Sequence, residues 1–150
     1  MLTARPLPRG FGKDVRYEVT GSATAIINQS KSTIELDGRI LTIARTGILG
    51  PTLHLKSGDQ LVATLTGKAF VNTYTLDLGG RQWIFKATNL TARKFGLFEN
   101  EKQTGTFSSG SFFSGNKDIS ADLPDELPRE AQLFLLSVFI AKLTESSTYA

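Results

Sequence analysis

The chain contains one histidine and no cysteine, so few of its residues are equipped for covalent or metal chemistry. His54 lies in PTLHLK, where Leu53 and Leu55 share one strand face and the imidazole takes the other. An imidazole works as a general base only beside a nucleophile and an orienting carboxylate, and no nucleophile elbow accompanies this one. An exposed strand position is expected for it. Two carboxylate pairs, Glu35/Asp37 and Glu99/Glu101, have the i,i+2 spacing that puts both acids on one strand face, as acid–base chemistry requires. The same spacing marks the polar ends of hairpins, and both pairs stand beside turn residues. Thiolate catalysis and Cys-ligated zinc are excluded by composition, and no phosphate loop, metal-ligand spacing or dinucleotide fingerprint is present. The expectation is a protein that is not an enzyme, with no cofactor and no metal.

Basic residues offer a different chemistry. Between Asp77 and Glu99 stand Arg81, Lys86, Arg93 and Lys94, with no acid among them. Clusters of four or more cations beside a membrane bind anionic lipid, although cations also serve solubility. These four residues form the candidate lipid-binding set, and Arg5, Arg9, Lys13 and Arg16 add further charge near the N-terminus. Residues 1–98 carry 13 Lys/Arg and 6 Asp/Glu, whereas residues 99–150 carry 4 and 8. The net charge is only +3, so nucleic acid is not an expected partner. In SSGSFFSGN, Phe112 and Phe113 sit inside a Gly/Ser loop. Two readings of that loop stay open: a plug for the protein's interior, or an exposed aromatic tip that enters a bilayer interface or a partner groove.

These residues must be positioned by short strands. Residues 1–14 read as a flexible basic arm rich in Pro and Gly, followed by a single domain over 15–150. From Val15 to Ala121 the pattern is β-type throughout, with about eleven segments split by Gly, Asn, Asp and Ser. Tyr74, Leu76 and Leu78 share a face, as do Trp83, Phe85 and Ala87, and as do Leu61, Ala63 and Leu65. Period-two patterning means one buried and one wet face. Parallel pairing needs helical crossovers for which there is no room, so the sheet is expected to be an antiparallel meander.

The ending is different. Pro124 and Pro128 precede QLFLLSVFIAKL, in which nine of twelve residues are apolar. A helix over about 128–145 is predicted, with acids near its start where the dipole favours them. On a helical wheel the apolar residues cover the whole circumference. The run is shorter than the ~20 residues a membrane span needs, so no transmembrane segment is expected. An apolar helix that does not enter a bilayer must be wrapped. A closed antiparallel barrel of about 11–12 strands is wide enough to hold one, whereas an eight-stranded barrel is already filled by its own side chains. Because the helix occupies the lumen, a lipocalin-like interior carrier is disfavoured. MLTARPLPRGFGKD shows no secretory signal, and a cytoplasmic location, peripheral at a membrane, is expected.

The glycine-led hairpins GRILTIAR, GDQLVATLTGKAF and GGRQWIFKAT, followed by ADLPDELPREAQLFLLSVFIAKL, resemble the tubby-like superfamily of tubby C-terminal domains, LURP-one-related proteins and phospholipid scramblases. The resemblance is architectural, covers residues 15–145, and implies a barrel around a C-terminal helix. It also implies anionic-lipid binding on the outer surface through basic side chains, here Arg81, Lys86, Arg93 and Lys94. The acidic loop and acylated cysteine of scramblases are missing, so calcium-dependent scrambling is not implied. The alternative is a protein-interaction or structural scaffold with no lipid role.

Overall fold

The computed structural model describes residues 1–8, 14–47, 51–68, 71–89, 93–109 and 118–148. Among the described residues, twelve strands form one closed antiparallel barrel, and a single helix follows them. The strands are β1 (Leu2–Pro6), β2 (Arg16–Gly21), β3 (Ala25–Asn28), β4 (Thr33–Leu36), β5 (Arg39–Thr46), β6 (Thr52–Ser57), β7 (Gln60–Lys68), β8 (Val71–Leu78), β9 (Arg81–Ala87), β10 (Lys94–Glu99), β11 (Lys102–Ser109) and β12 (Ile119–Asp122). The helix, α1, spans Arg129–Thr148. Each strand pairs with its neighbours in sequence, and β1 closes the ring by pairing with both β2 and β12. Closure leaves no edge strand to manage.

Local residue choices explain the meander. The hairpin β4–β5 turns at Asp37 and Gly38, whose φ angles of 51° and 75° match the positive values a tight two-residue hairpin demands. Asn100 and Glu101 do the same between β10 and β11, at 51° and 70°. Inward residues then alternate along every strand: Leu41, Leu55, Leu65, Leu76, Phe85 and Leu97 are all fully buried.

Ala131 to Ile140 of α1 are buried without exception, so the helix is enclosed on all sides. Phe139 meets Phe95 and Phe107 at ring-centroid distances of 5.5 Å each, and Phe85 lies 4.8 and 5.0 Å from the same two rings. Tilted and edge-on aromatic packing of this kind adds to the area buried. The two buried polar residues of the helix are both satisfied. The Gln132 amide donates to the Leu127 carbonyl at 2.9 Å, which ties the helix start to the chain that enters it. Ser137 accepts from Gln29 on the β3–β4 connection, at 3.2 Å to both its carbonyl and its hydroxyl. Among the described residues no helix is long and apolar enough to cross a membrane.

Three expectations change. The arm expected over 1–14 is in part a wall strand: Leu2 and Ala4 are buried and Leu2–Pro6 is β1. Leu61 was grouped with Ala63 and Leu65, yet it is 53% exposed. The register slips between Leu55↔Ala63 and Lys56↔Leu61, so Val62 is an extra residue and the alternation before it is inverted, which turns Leu61 outward. The helix also runs slightly beyond the expected 145, to Thr148. Phe112 and Phe113 lie outside the described residues, as do Arg9 and Lys13.

Candidate anion-binding site at the basic mouth of the barrel

The two ends of the barrel differ in charge. At the end where α1 enters, the strand tips and turns carry Asp37, Asp59, Asp77, Glu99, Glu101 and Asp122, with Glu126 and Glu130 on the entering chain, and these outnumber the cations of the same rim, Arg39, Arg81, Lys102 and Arg129. At the opposite end the tips carry Arg16, Arg45, Lys68 and Lys94, with Lys31 in the β3–β4 turn and Lys142 near the end of α1; two acids also stand there, Asp14 paired with Lys31 and Asp118 paired with Arg5. The charge imbalance along the chain thus becomes an imbalance along the barrel axis.

The four candidate lipid-binding residues divide between these ends. Arg81 shares the inward parity of Trp83 and Phe85, so it stands at the acidic rim. Its guanidinium lies 4.7 Å from the Trp83 ring centroid and is bound by Glu99 at 2.5 and 2.8 Å and by Glu126 at 2.6 Å. Lys86 points outward from β9, with its ammonium 4.7 Å from the Phe98 ring. Arg93 and Lys94 stand at the far tip of the same hairpin, where both backbone N–H groups donate to Asn89 Oδ1, at 3.1 and 3.2 Å. Lys86 pairs with Gly96 across the sheet, so Lys94 is its diagonal neighbour. Three of the four residues therefore gather toward the basic end, and Arg81 is separated from them by the length of β9.

One member of each carboxylate pair, Asp37 and Glu99, helps hold the helix in place, together with Glu126 and Glu130. Asp37 binds Arg129 at 2.8 Å, Glu130 binds Arg39 at 2.8 Å, and Arg81 joins Glu99 on the wall to Glu126 on the entering chain. Glu130 is held below the ordinary carboxylate range, first by its own backbone N–H at the helix start and then by Arg39. The Arg81 guanidinium lowers Glu99 in the same way, and Arg81 itself is raised in return. A depressed carboxylate contributes stability above the ordinary value of about 4.3 and loses it as pH falls through the lower folded value. The melting temperature is therefore expected to drop below about pH 4, less steeply in Glu130→Gln than in the parent. Parallel melts of the two proteins from pH 7 to pH 3 check this, and identical slopes would remove Glu130 from the account.

His54 sits half-buried on the outer wall between two threonines, with Nε2 3.2 Å from Thr46 Oγ1 and Nδ1 3.5 Å from Thr64 Oγ1. These hydroxyls fix the ring within the sheet surface.

The basic mouth also contains a cavity of about 350 Å³ between α1 and the strands around β5. Ile43, Leu53 and Val138 supply apolar walls, and Arg45 and Lys142 supply two cations. Among the described residues no carboxylate lines it. The Lys142 ammonium rests 5.4 Å from the Tyr74 ring centroid, a cation–π distance that steadies it. Reading the windows of basic residues passed over both cations, which lie 97 positions apart. The available signal was parity: Arg45 follows Leu41 and Ile43 on the inward face of β5 and is the first of the three to emerge at the rim. No family model, curated protein or solved structure matches this chain.

Proposed function

We propose that this chain is a non-enzymatic binding domain of the tubby-like kind that rests its basic end on an anionic lipid surface. The observation that carries the reading is the separation of charge along the barrel axis. The tubby-like assignment is supported by the twelve-stranded closed barrel and its enclosed C-terminal helix. Each Lys or Arg close to an anionic bilayer contributes about 1 kcal/mol, and the attraction fades within a Debye length of about 8–10 Å. Arg16, Arg45, Lys68, Arg93 and Lys94 are all exposed toward one end, which lets several act at once on a flat surface. Of the four residues first singled out, Lys86, Arg93 and Lys94 remain in the proposed surface, while Arg81 belongs to the helix clamp. The location that follows is peripheral, at the cytoplasmic face of a membrane.

Flotation with vesicles containing phosphatidylserine or a phosphoinositide tests this reading. The protein is expected to float at low salt and to be released at high salt, with Arg93→Glu/Lys94→Glu weakening flotation and Lys102→Glu, at the acidic end, leaving it unchanged. Absence of salt-sensitive flotation removes the reading.

A second reading, a protein-interaction scaffold, is favoured by one feature. A shallow outer groove of about 360 Å³ near the acidic end brings Glu18, Glu35 and Asp37 around Ile26 and Ile40, and Ile40 is 59% exposed. That composition suits a basic peptide with an apolar anchor. Because the groove lies away from the basic mouth, Glu35→Lys leaves vesicle flotation unchanged under the first reading.

A further inference from the structure

We propose that the outer groove on β2–β5 docks an extended basic segment of a partner protein, in which a lysine or arginine alternates with a large apolar residue at every second position. The inference deepens the scaffold reading, on which it rests for a protein partner, and is independent of the lipid surface.

Four observations converge on this occupant. First, Glu18↔Ile26, Ile26↔Glu35 and Glu35↔Ile40 are successive register pairs, so the four residues form one row across β2, β3, β4 and β5. Their chain neighbours Val19, Ile27, Ile34 and Leu41 are fully buried, so the row itself faces outward, where it lines the groove. Second, two acids of the row are uncompensated. Glu18 and Glu35 are exposed and make no ion pair among the described residues, whereas the other charges lining the groove are taken, Asp37 by Arg129 and Arg39 by Glu130, at 2.8 Å each. Arg5 stands opposite Glu18 across the sheet, but its guanidinium lies 3.4 Å from Asp118. Third, Ile40 is 59% exposed and Ile26 half-buried, which leaves apolar surface for a partner side chain to cover. Fourth, each of β2–β5 is paired on both sides, so a partner cannot add as a further strand and reads the wall through side chains alone. Adjacent strands lie ~4.8 Å apart. Outward side chains of a closed barrel diverge, so the row widens above the wall toward the roughly 6.4–6.8 Å that separates alternate side chains of an extended chain. Base, apolar, base and apolar side chains on one face of such a segment then meet Glu18, Ile26, Glu35 and Ile40 in order. An anionic lipid head meets repulsion from the same two acids.

Fluorescence anisotropy of a labelled peptide, KSLSKSL, titrated with the full chain in the absence of lipid tests the proposal. Two control peptides, KSSSKSS and ESLSESL, remove the apolar and the basic half of the interaction in turn. KSLSKSL is expected to bind one-to-one and at least about tenfold more tightly than either control. Glu35→Lys is expected to weaken its binding by about tenfold or more, since it replaces an attraction with a repulsion, and Ile40→Ser to weaken it several-fold. Both variants melt at the temperature of the parent, which their exposed positions allow. Leu61→Ser removes an exposed apolar side chain outside the groove and leaves the affinity unchanged. The proposal is overturned by any of three results: no saturable binding of KSLSKSL, equal affinity for KSLSKSL and either control, or a Glu35→Lys or Ile40→Ser affinity equal to that of the parent. Sedimentation velocity of the chain alone separates this failure from failure of the scaffold reading. Self-association that Ile40→Ser removes, without peptide binding, overturns the basic segment and keeps a scaffold in which a second copy covers the groove. A chain that neither binds the peptide nor self-associates through Ile40 overturns both. Because no lipid is present, the titration leaves the vesicle result to decide the surface reading by itself.

Discussion

A chain ended at Leu127 does not fold. All twelve strands are still present in it, and only α1 is missing. The barrel cannot tolerate that loss, because inward side chains of its wall close on the helix: Phe95 and Phe107 meet Phe139 at 5.5 Å each. Leu133, Phe134, Leu135, Leu136, Val138, Phe139 and Ile140 are buried, and at roughly 1.5–3 kcal/mol each their burial amounts to about 10–20 kcal/mol before entropy is counted. A domain's whole net stability is typically about 5–15 kcal/mol, so the loss exceeds what the remainder holds in reserve. Far-UV circular dichroism and a thermal scan of residues 1–127 check the prediction. A cooperative melt near that of the full chain would show that the barrel stands without its helix, and the account of the core would be wrong.

Removing residues 1–7 opens the barrel. This segment carries β1, which pairs with β12 through Leu2↔Ala121 to Ala4↔Ile119 and with β2 through Leu2↔Gly21 to Pro6↔Tyr17. Without it, β2 and β12 each present a row of unpaired backbone N–H and C=O groups, and the Leu2 and Ala4 positions over the lumen are uncovered. Two exposed edges recruit each other across molecules. The shortened chain is expected to self-associate more than the full chain and to lose its sharp melt, while a variant carrying only Arg5→Ser matches the full chain in both, because the Arg5–Asp118 pair at 3.4 Å is a surface contact. Sedimentation velocity together with thermal melting reads the outcome. An association state and a melt equal to those of the full chain would return residues 1–7 to the status of a free arm.

These two predictions draw on different kinds of knowledge. The first was available from QLFLLSVFIAKL alone. A helix apolar around its full circumference, and too short to span a bilayer, has to be enclosed, and the strand-like segments before it supply a wall of about the required width. The second was hidden. LTARP contains a proline and a basic residue and is followed by LPRGFGK, so its composition is that of a linker. What makes it a strand is the need of β2 and β12 for a partner, and that need exists only once the other strands have formed a ring.

The candidate site was legible to a similar degree. Parity along β9 already places Arg81 on the inward side with Trp83, away from outward Lys86. No spacing rule, however, shows that the end it emerges from is the one where Glu126 enters, 45 residues later. Nor does the sequence bring Arg45 and Lys142 to one cavity.

The sequence by itself determined the alternation of the strands, their antiparallel order, and the enclosure of the helix, because each follows from short-range geometry and from the cost of exposing apolar surface to water. The tertiary structure alone decided which strand closes the ring and that most of the acids gather at one mouth, which leaves the other net basic. It also decided that two cations 97 positions apart share a pocket. These depend on through-space neighbours created by closure. Closure fixes which strand ends lie together, and a local pattern of residues carries no record of its partner across a ring.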